Sequence, residues 1–263
     1  MEFLTWGDGP RTLLYIGGGP GSTVPSGRSG RLRRRYFDPY VEAGYAIWVV
    51  TRPRGMPSGH TMADLAEDYA GFVHEWMGAR ADLVLGESFG GMVAQYLAGL
   101  HPDAVGCLAL VGSGLEVSDW GKDVDRRLAE AVAGGDHVAA GAAFAEYVLP
   151  SKRAERLRRR LGPMLAKPIL TSPAYPPGDL LVELEAEMAC DCRPVLPRIE
   201  APTLVIAGGR DRFFPKDIVD ETADLIKECA VVRYPGKGHV RTCSTARAAR
   251  DVLHFVGRSR SPA

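Results

Sequence analysis

The sequence carries no surplus of charge of either sign. Lysine plus arginine and aspartate plus glutamate number 32 each among 263 residues, so the net charge is zero with histidine neutral. A nucleic-acid surface needs clustered cationic excess and a membrane-surface helix needs a basic amphipathic face, so neither class of partner is expected. No apolar run approaches the roughly 20 residues that cross a bilayer. The opening Met1–Asp8 lacks the charged-then-apolar order of a secretory leader. A cytoplasmic protein acting on a small molecule is therefore the expectation. Cysteine is scarce as well: Cys107, Cys190, Cys192, Cys229 and Cys243 make an odd set without paired spacing. Cys190-Asp191-Cys192 has no second pair to complete a zinc site, so reduced thiols and no bound metal are expected. Repeats and low-complexity segments are missing too. Hydrophobic residues at 46% and charged residues at 24% fit a globular chain with a full core.

What remains is an alternation of short apolar runs with longer amphipathic ones. Glu2–Trp6 reads as an edge strand, followed by strands at Thr12–Ile16, Ala46–Val50, Asp82–Leu85 and Val105–Val111. Between them lie helical patterns at Arg31–Val41, from Thr61 to about Met77, and after Gly90. That rhythm predicts a parallel sheet with helical crossovers. It breaks between about Gly114 and Arg198, where only helices are predicted: Asp119–Ala133, His137–Leu149, Lys152–Leu165 and Gly178–Cys190. It resumes with a strand at Pro202–Ala207, a helix at Lys216–Glu228, a strand at Ala230–Tyr234 and a last helix at Thr245–Val256. The expected organisation is an α/β core built from residues 1–113 and 199–263, with an all-helical lid inserted at 114–198.

One stretch stands at the centre of this pattern, Gly86-Glu87-Ser88-Phe89-Gly90-Gly91. A strand precedes it and a helix follows, the context in which G-x-S-x-G forms a nucleophile elbow. A serine at the tip of so tight a turn takes a strained backbone conformation. Glycines on either side leave room for the neighbouring strand and helix. The bland alternative is a strand-to-helix turn with a bystander serine.

A serine nucleophile needs a base, and the base needs a group to hold its tautomer. His74 and His254 fall in predicted helices, His101 ends the elbow helix and His137 falls in the lid. His60 lies in a loop that reaches the sheet edge but precedes the serine strand. His239, in a loop after the last strand, fits best. Asp211 follows Gly208-Gly209-Arg210 directly after a strand; Asp217 and Asp220 are weaker because they fall at or inside the next helix. Ser88, Asp211 and His239 give the chain order nucleophile, acid, base, each just beyond a predicted parallel strand.

Together the glycine–proline loop Gly17-Gly18-Gly19-Pro20-Gly21, the G-x-S-x-G elbow, the G-G-x-D loop and Gly236-Lys237-Gly238-His239 resemble an α/β-hydrolase with a helical lid. The resemblance implies that fold, a mostly parallel doubly wound sheet, and a serine hydrolase needing no cofactor. It implies oxyanion donors at the backbone N–H groups of Gly19 and Phe89. The family usually begins its first loop with His-Gly, whereas Gly17 stands at the histidine position, which removes a customary loop brace. Serine at the elbow implies acyl transfer, with small to medium carboxylic esters as the leading substrates. Alternatives are a C–C bond hydrolase on the same triad, a ligand-binding protein with a slow triad, and an aminopeptidase. The last follows from a likeness of the glycine–proline loop to that of proline iminopeptidases, whose lid carboxylates hold a free amine. Glu183, Glu185 and Glu187 lie in the lid, but the stripe Leu181, Leu184 and Met188 predicts that they face solvent. Two basic runs, Arg28–Arg35 and Lys152–Arg160, are expected to be solvated helix faces.

Overall fold

A computed structural model describes residues 1–25, 27–170 and 176–259. Among the described residues seven strands form one sheet: β1 (Phe3–Trp6), β2 (Arg11–Ile16), β3 (Tyr45–Val50), β4 (Leu83–Glu87), β5 (Leu108–Val111), β6 (Thr203–Gly208) and β7 (Cys229–Tyr234). Their spatial order is β1-β3-β2-β4-β5-β6-β7. β1 runs antiparallel to β3, and every other pair is parallel. The central strands are buried throughout, as parallel strands covered on both faces must be.

Ten helices of the described residues accompany the sheet: α1 (Gly27–Glu42), α2 (Met62–Trp76), α3 (Phe89–Leu100), α4 (Asp119–Ala133), α5 (His137–Phe144), α6 (Glu155–Leu170), α7 (Pro177–Met188), α8 (Lys216–Leu225), α9 (His239–Cys243) and α10 (Ala246–Ser259). The pleat sends alternate side chains to opposite faces. Leu13, Ile47 and Leu85 pack with Phe37 and Tyr40 of α1 and Val252 of α10. Leu14, Val84 and Leu108 pack on the other face with Tyr69 of α2, Val93 of α3 and Val219 of α8. The helices thus form one layer on each side of the sheet.

This strand order places a reversal in the middle of the sheet. From β2 the chain moves outward to β3, then crosses back over β2 to lay down β4 and β5 on the far side. Such a switch point opens a crevice outside the carboxyl ends of the two strands where the order turns. The loop after β2 is Gly17–Gly21, and the turn after β4 carries Ser88.

Between β5 and β6 the described residues hold no strand. Helices α4 to α7 fill this interval, and Val124, Leu128, Leu180 and Leu184 join the same apolar cluster as the α2–α3 layer. No helix of the described residues is long and apolar enough to cross a membrane.

Three sequence-based expectations need correction. The strand expected from Val105 starts at Leu108; Val105 makes only an isolated bridge to Ala81 after a short 3₁₀ turn at Pro102–Ala104. The basic run in the helical block is not wholly solvated. Arg158 is buried, pairs with Glu146 at 2.9 Å and donates to the Leu149 and Ser151 carbonyls, while Arg153, Arg156, Arg159 and Arg160 are exposed. Of the first run, Arg34 and Arg35 are exposed, and the side chains of Arg28, Arg31 and Arg33 lie outside the described ones.

The third correction concerns α7. Leu184 is buried as the apolar stripe predicts, yet Glu183 and Glu187 are buried too, and only Glu185 of the three is exposed. α7 is covered on two sides, by α4 and by the loops at the carboxyl edge of the sheet. Its inward carboxylates, Asp179, Glu183 and Glu187, recur every fourth residue and so share one face. Asp179 accepts from the backbone N–H groups of Gly55 and Met56 at 3.1 and 2.8 Å. Glu183 pairs with the buried guanidinium of Arg52, so charge buried at the first two positions of this face is compensated by partners.

Candidate active site

The residue that follows β4 and precedes α3 holds a backbone conformation that propensity alone would not place there. Ser88 has φ +50° and ψ −122°, a conformation L side chains rarely adopt, and it costs on the order of 1–3 kcal/mol when held. Two neighbours make that turn possible. A Cβ on Gly86 would stand 2.6 Å from the Gly90 carbonyl oxygen, and one on Gly90 would stand 2.2 Å from the Ile16 carbonyl oxygen. Both distances are far inside contact, so glycine is a steric requirement at each. The Ser88 N–H is held by the Val111 carbonyl at 3.0 Å, and its own carbonyl accepts from Gly91 at 2.8 Å as α3 begins.

The loops after β6 and β7 meet each other through their backbones. Gly209 N–H donates to Tyr234 O and Arg210 N–H donates to Lys237 O, each at 2.9 Å. Those bonds bring together two residues 28 positions apart, and His239 Nδ1 lies 2.9 Å from Asp211 Oδ2. The other carboxylate oxygen of Asp211 accepts from the N–H groups of Phe213 and Phe214 at 2.9 and 3.2 Å, which fixes the carboxylate plane. On its far side His239 Nε2 lies 2.9 Å from Ser88 Oγ. An ionised carboxylate can only accept, so Nδ1 carries the hydrogen and Nε2 is left to accept from the serine hydroxyl. The imidazole is packed against the rings of Phe213 and Phe214, with centroids 4.9 and 5.7 Å away. His239 was expected in a loop; it is instead the first residue of α9, whose first turn is closed by Thr242 N–H on the Gly238 carbonyl.

The remaining candidates lie elsewhere. His60 bonds Asp68 at 2.8 Å and His101 bonds Glu67 at 2.9 Å, while His74, His137 and His254 are exposed. Asp217 sits in the first turn of α8, and Asp220 pairs with Lys216 and Arg233. Among the described residues no cluster of His, Cys, Asp or Glu could hold a metal ion, and all five cysteines are free thiols.

Ser88 and His239 open onto a cleft of about 770 Å³. Gly18 and Gly19 form one lip, and Phe144, Tyr147, Val148 and Val240 supply an apolar wall. Gly18 passes directly over the serine, since a Cβ there would lie 3.2 Å from Ser88 Cβ. Gly19 is beside Phe89 in the same sense, 3.2 Å from its Cγ. The two residues expected to donate to an oxyanion are therefore neighbours flanking the serine.

The sequence pattern described as the alpha/beta hydrolase fold matches residues 12–240. The chain belongs to the α/β-hydrolase family. A pimeloyl-[acyl-carrier protein] methyl ester esterase of Neisseria meningitidis serogroup C is 30% identical to this α/β-hydrolase over 228 residues, covering 82% of the chain and 85% of the esterase. A thermophilic esterase from Thermogutta terrifontis superposes with a TM-score of 0.73 at 22% identity, over 99% of this chain and 94% of its own. The enol-lactonase of Burkholderia xenovorans superposes with a TM-score of 0.71 at 21% identity, over 97% and 96%. At such identities the two structures speak for the fold alone. The fold class and the enzyme class read from the sequence are thus correct.

Sequence reasoning missed a second polar cluster beside the cleft. Asp125 of α4 is fully buried and accepts a short hydrogen bond from the Tyr147 hydroxyl, and Tyr147 lines the cleft. Burial pushes the Asp125 carboxyl up to about 7, against an ordinary 3.8, with the Tyr147 hydrogen bond and the charge of His239 opposing. Glu187 faces it from α7; burial first, and the like charge of Asp125 second, hold its carboxyl well above the ordinary range. Tyr147 itself is held in its neutral form, by burial and then by the Asp125 charge. The signal available in the sequence is the four-residue spacing of Asp179, Glu183 and Glu187. Nothing in it marks Asp125.

Proposed function

We propose that this α/β-hydrolase cleaves small to medium carboxylic esters through an acyl-enzyme on Ser88. The observation that carries it is the unbroken line from Asp211 through His239 to Ser88 Oγ, two contacts of 2.9 Å, ending at an apolar cleft. Ser88 Oγ attacks the ester carbonyl carbon while His239 Nε2 takes its proton. The imidazolium that forms is stabilised by Asp211, and the developing oxyanion is received by the N–H groups of Gly19 and Phe89. His239 then gives its proton to the leaving alkoxide. Water, deprotonated by the same nitrogen, cleaves the acyl-enzyme and restores the serine. The wall of Phe144, Val148 and Val240 suits an aliphatic acyl chain. The methyl ester esterase relative supports an ester rather than another acyl substrate. On this reading the helices of residues 114–198 act as a lid over the acyl pocket, the enzyme works in the cytoplasm, and its partner is a small molecule rather than nucleic acid or membrane.

A second reading, aminopeptidase, is favoured by one observation: Asp125 and Glu187 bury two carboxyls behind Tyr147. A protonated amine reaching them would favour their ionised forms and offset the cost of burying that charge. Glu183 is unavailable for that role because Arg52 already neutralises it. The test is a panel of p-nitrophenyl esters and aminoacyl p-nitroanilides. For the esterase, p-nitrophenyl butyrate should exceed prolyl p-nitroanilide in kcat/KM by about 100-fold or more, the size of a discrimination set in the transition state. Faster anilide cleavage that Glu187→Gln abolishes would assign the peptidase instead.

A further inference from the structure

The glycine–proline loop lacks the histidine that usually braces it, yet it is tied at both ends. Arg52, the second residue after β3, is fully buried, and so is Glu183 of α7. The guanidinium grips the carboxylate through two nitrogens, Nε in a short contact with Oε1 and Nη2 at 3.0 Å from Oε2. Its third nitrogen, Nη1, donates to the Gly17 carbonyl at 2.9 Å. Glu183 Oε2 in turn accepts from the Gly21 N–H at 2.8 Å. One ion pair therefore holds the first and last residues of the five-residue loop. The same guanidinium lies over the Phe89 ring, 4.5 Å from its centroid, and a Cβ on Gly19 would lie 3.2 Å from Arg52 Nη2. Both backbone segments expected to face the oxyanion are thus packed against one planar cation.

We infer that Arg52 and Glu183 form a positioning pair that sets the Gly17–Gly21 loop for oxyanion stabilisation, and that through Glu183 the helical lid is coupled to the chemistry. The inference rests on the acyl-transfer reading above. Bidentate geometry is what suits the pair to this task. A planar fork held by two parallel bonds fixes orientation, whereas a lysine ammonium at the same point would fix only distance. A donor misplaced by about 1 Å costs on the order of 100-fold in rate, because the stabilisation must be in place before charge develops. The pair touches no reacting atom, and it acts only through the backbone of the loop.

A buried ion pair also contributes to folding, so single variants confound position with stability. Replacing both partners by apolar residues of similar size removes the confusion, since such replacements are commonly neutral or stabilising. The test compares the wild type with Arg52→Met/Glu183→Leu and with Arg52→Lys. Three readouts are needed: ester kinetics, affinity for a trifluoromethyl ketone that mimics the tetrahedral intermediate, and hydrogen–deuterium exchange of the Gly17–Ser22 peptide. In the double variant the thermal midpoint should stay near wild type while kcat falls about 10–100-fold, the range set by a displaced oxyanion donor. KM should change little, ketone affinity should fall in parallel with kcat/KM, and exchange in the loop should rise. Arg52→Lys should show the same signature with a smaller loss of kcat.

A folded double variant with wild-type kcat, ketone affinity and loop exchange would overturn the inference. Should the double variant not fold, Arg52→Lys decides: wild-type kcat and ketone affinity would overturn it, and the signature above would uphold it. If the wild type turns over no ester, the acyl-transfer reading fails separately. Loop exchange in the variants then decides on its own whether the pair holds the loop.

Discussion

At the scale of single residues, the site depends on Asp211 doing two things at once. One of its oxygens is occupied by the Phe213 and Phe214 N–H groups, which leaves the other aimed at His239. Asp211→Asn can keep the first set of bonds, but an amide that turns its NH₂ toward Nδ1 forces the hydrogen onto Nε2, where the serine needs an acceptor. The expected result is a fall in kcat of about 10³–10⁴-fold with an unchanged circular dichroism spectrum and thermal midpoint near wild type. Near-normal turnover would move the orienting acid elsewhere. These residues are legible in the sequence because each follows a strand whose apolar run is short and unmistakable. Ser88 comes with its flanking glycines, Asp211 with Gly208-Gly209, His239 with Gly238. Their distances are not legible, since they depend on backbone bonds between the loops after β6 and β7.

At the scale of elements, α7 shows what an apolar stripe conceals. Leu181, Leu184 and Met188 predict a helix with one buried side, and that side is present at Leu184. Periodicity cannot tell that the opposite side is also covered, because the covering comes from α4 and from loops distant in sequence. The carboxylates there take partners of very different quality. Asp179 has two backbone donors and Glu183 has Arg52, whereas Glu187 faces another carboxyl. This difference has a consequence for stability. Asp125 has its pKa raised on folding, from an ordinary 3.8 to about 7, so the folded state binds its proton more tightly than the unfolded chain. Its contribution is therefore least unfavourable below about pH 4, worsens as pH rises through the window from 4 to 7, and is level above it. Asp125→Asn keeps an acceptor for the Tyr147 hydroxyl and removes the charge. It should raise stability by roughly 2–4 kcal/mol at pH 8 and by little at pH 4, as followed by urea unfolding at the two pH values. A variant equally stabilised at both pH values, or destabilised at pH 8, would mean that the carboxyl is satisfied by a partner when ionised.

At the scale of the whole molecule, strands laid down out of order bring three loops to one crevice. The loop after β2, the elbow after β4 and the loop after β7 are separated by up to 221 positions between Gly18 and His239, yet they line one cleft, and the loop after β6 stands behind it with Asp211 on His239. The alternation of strands and helices predicts a parallel sheet, and the break in that alternation predicts the helical block. Neither predicts the strand order, which is fixed by long-range packing on both faces. Nor does either predict that the block reaches down to the first glycine loop through Glu183. The chemistry proposed for the crevice makes one demand that can be met or refused outright: the reactive nucleophile is Ser88. The direct measurement is mass spectrometry of tryptic peptides after treatment with a fluorophosphonate, beside the rate of p-nitrophenyl butyrate hydrolysis. In the wild-type enzyme a single adduct on the peptide containing Ser88 is expected, with activity lost in proportion, and Ser88→Ala should show neither adduct nor turnover. An adduct on another residue, or ester hydrolysis that survives in Ser88→Ala, would contradict it.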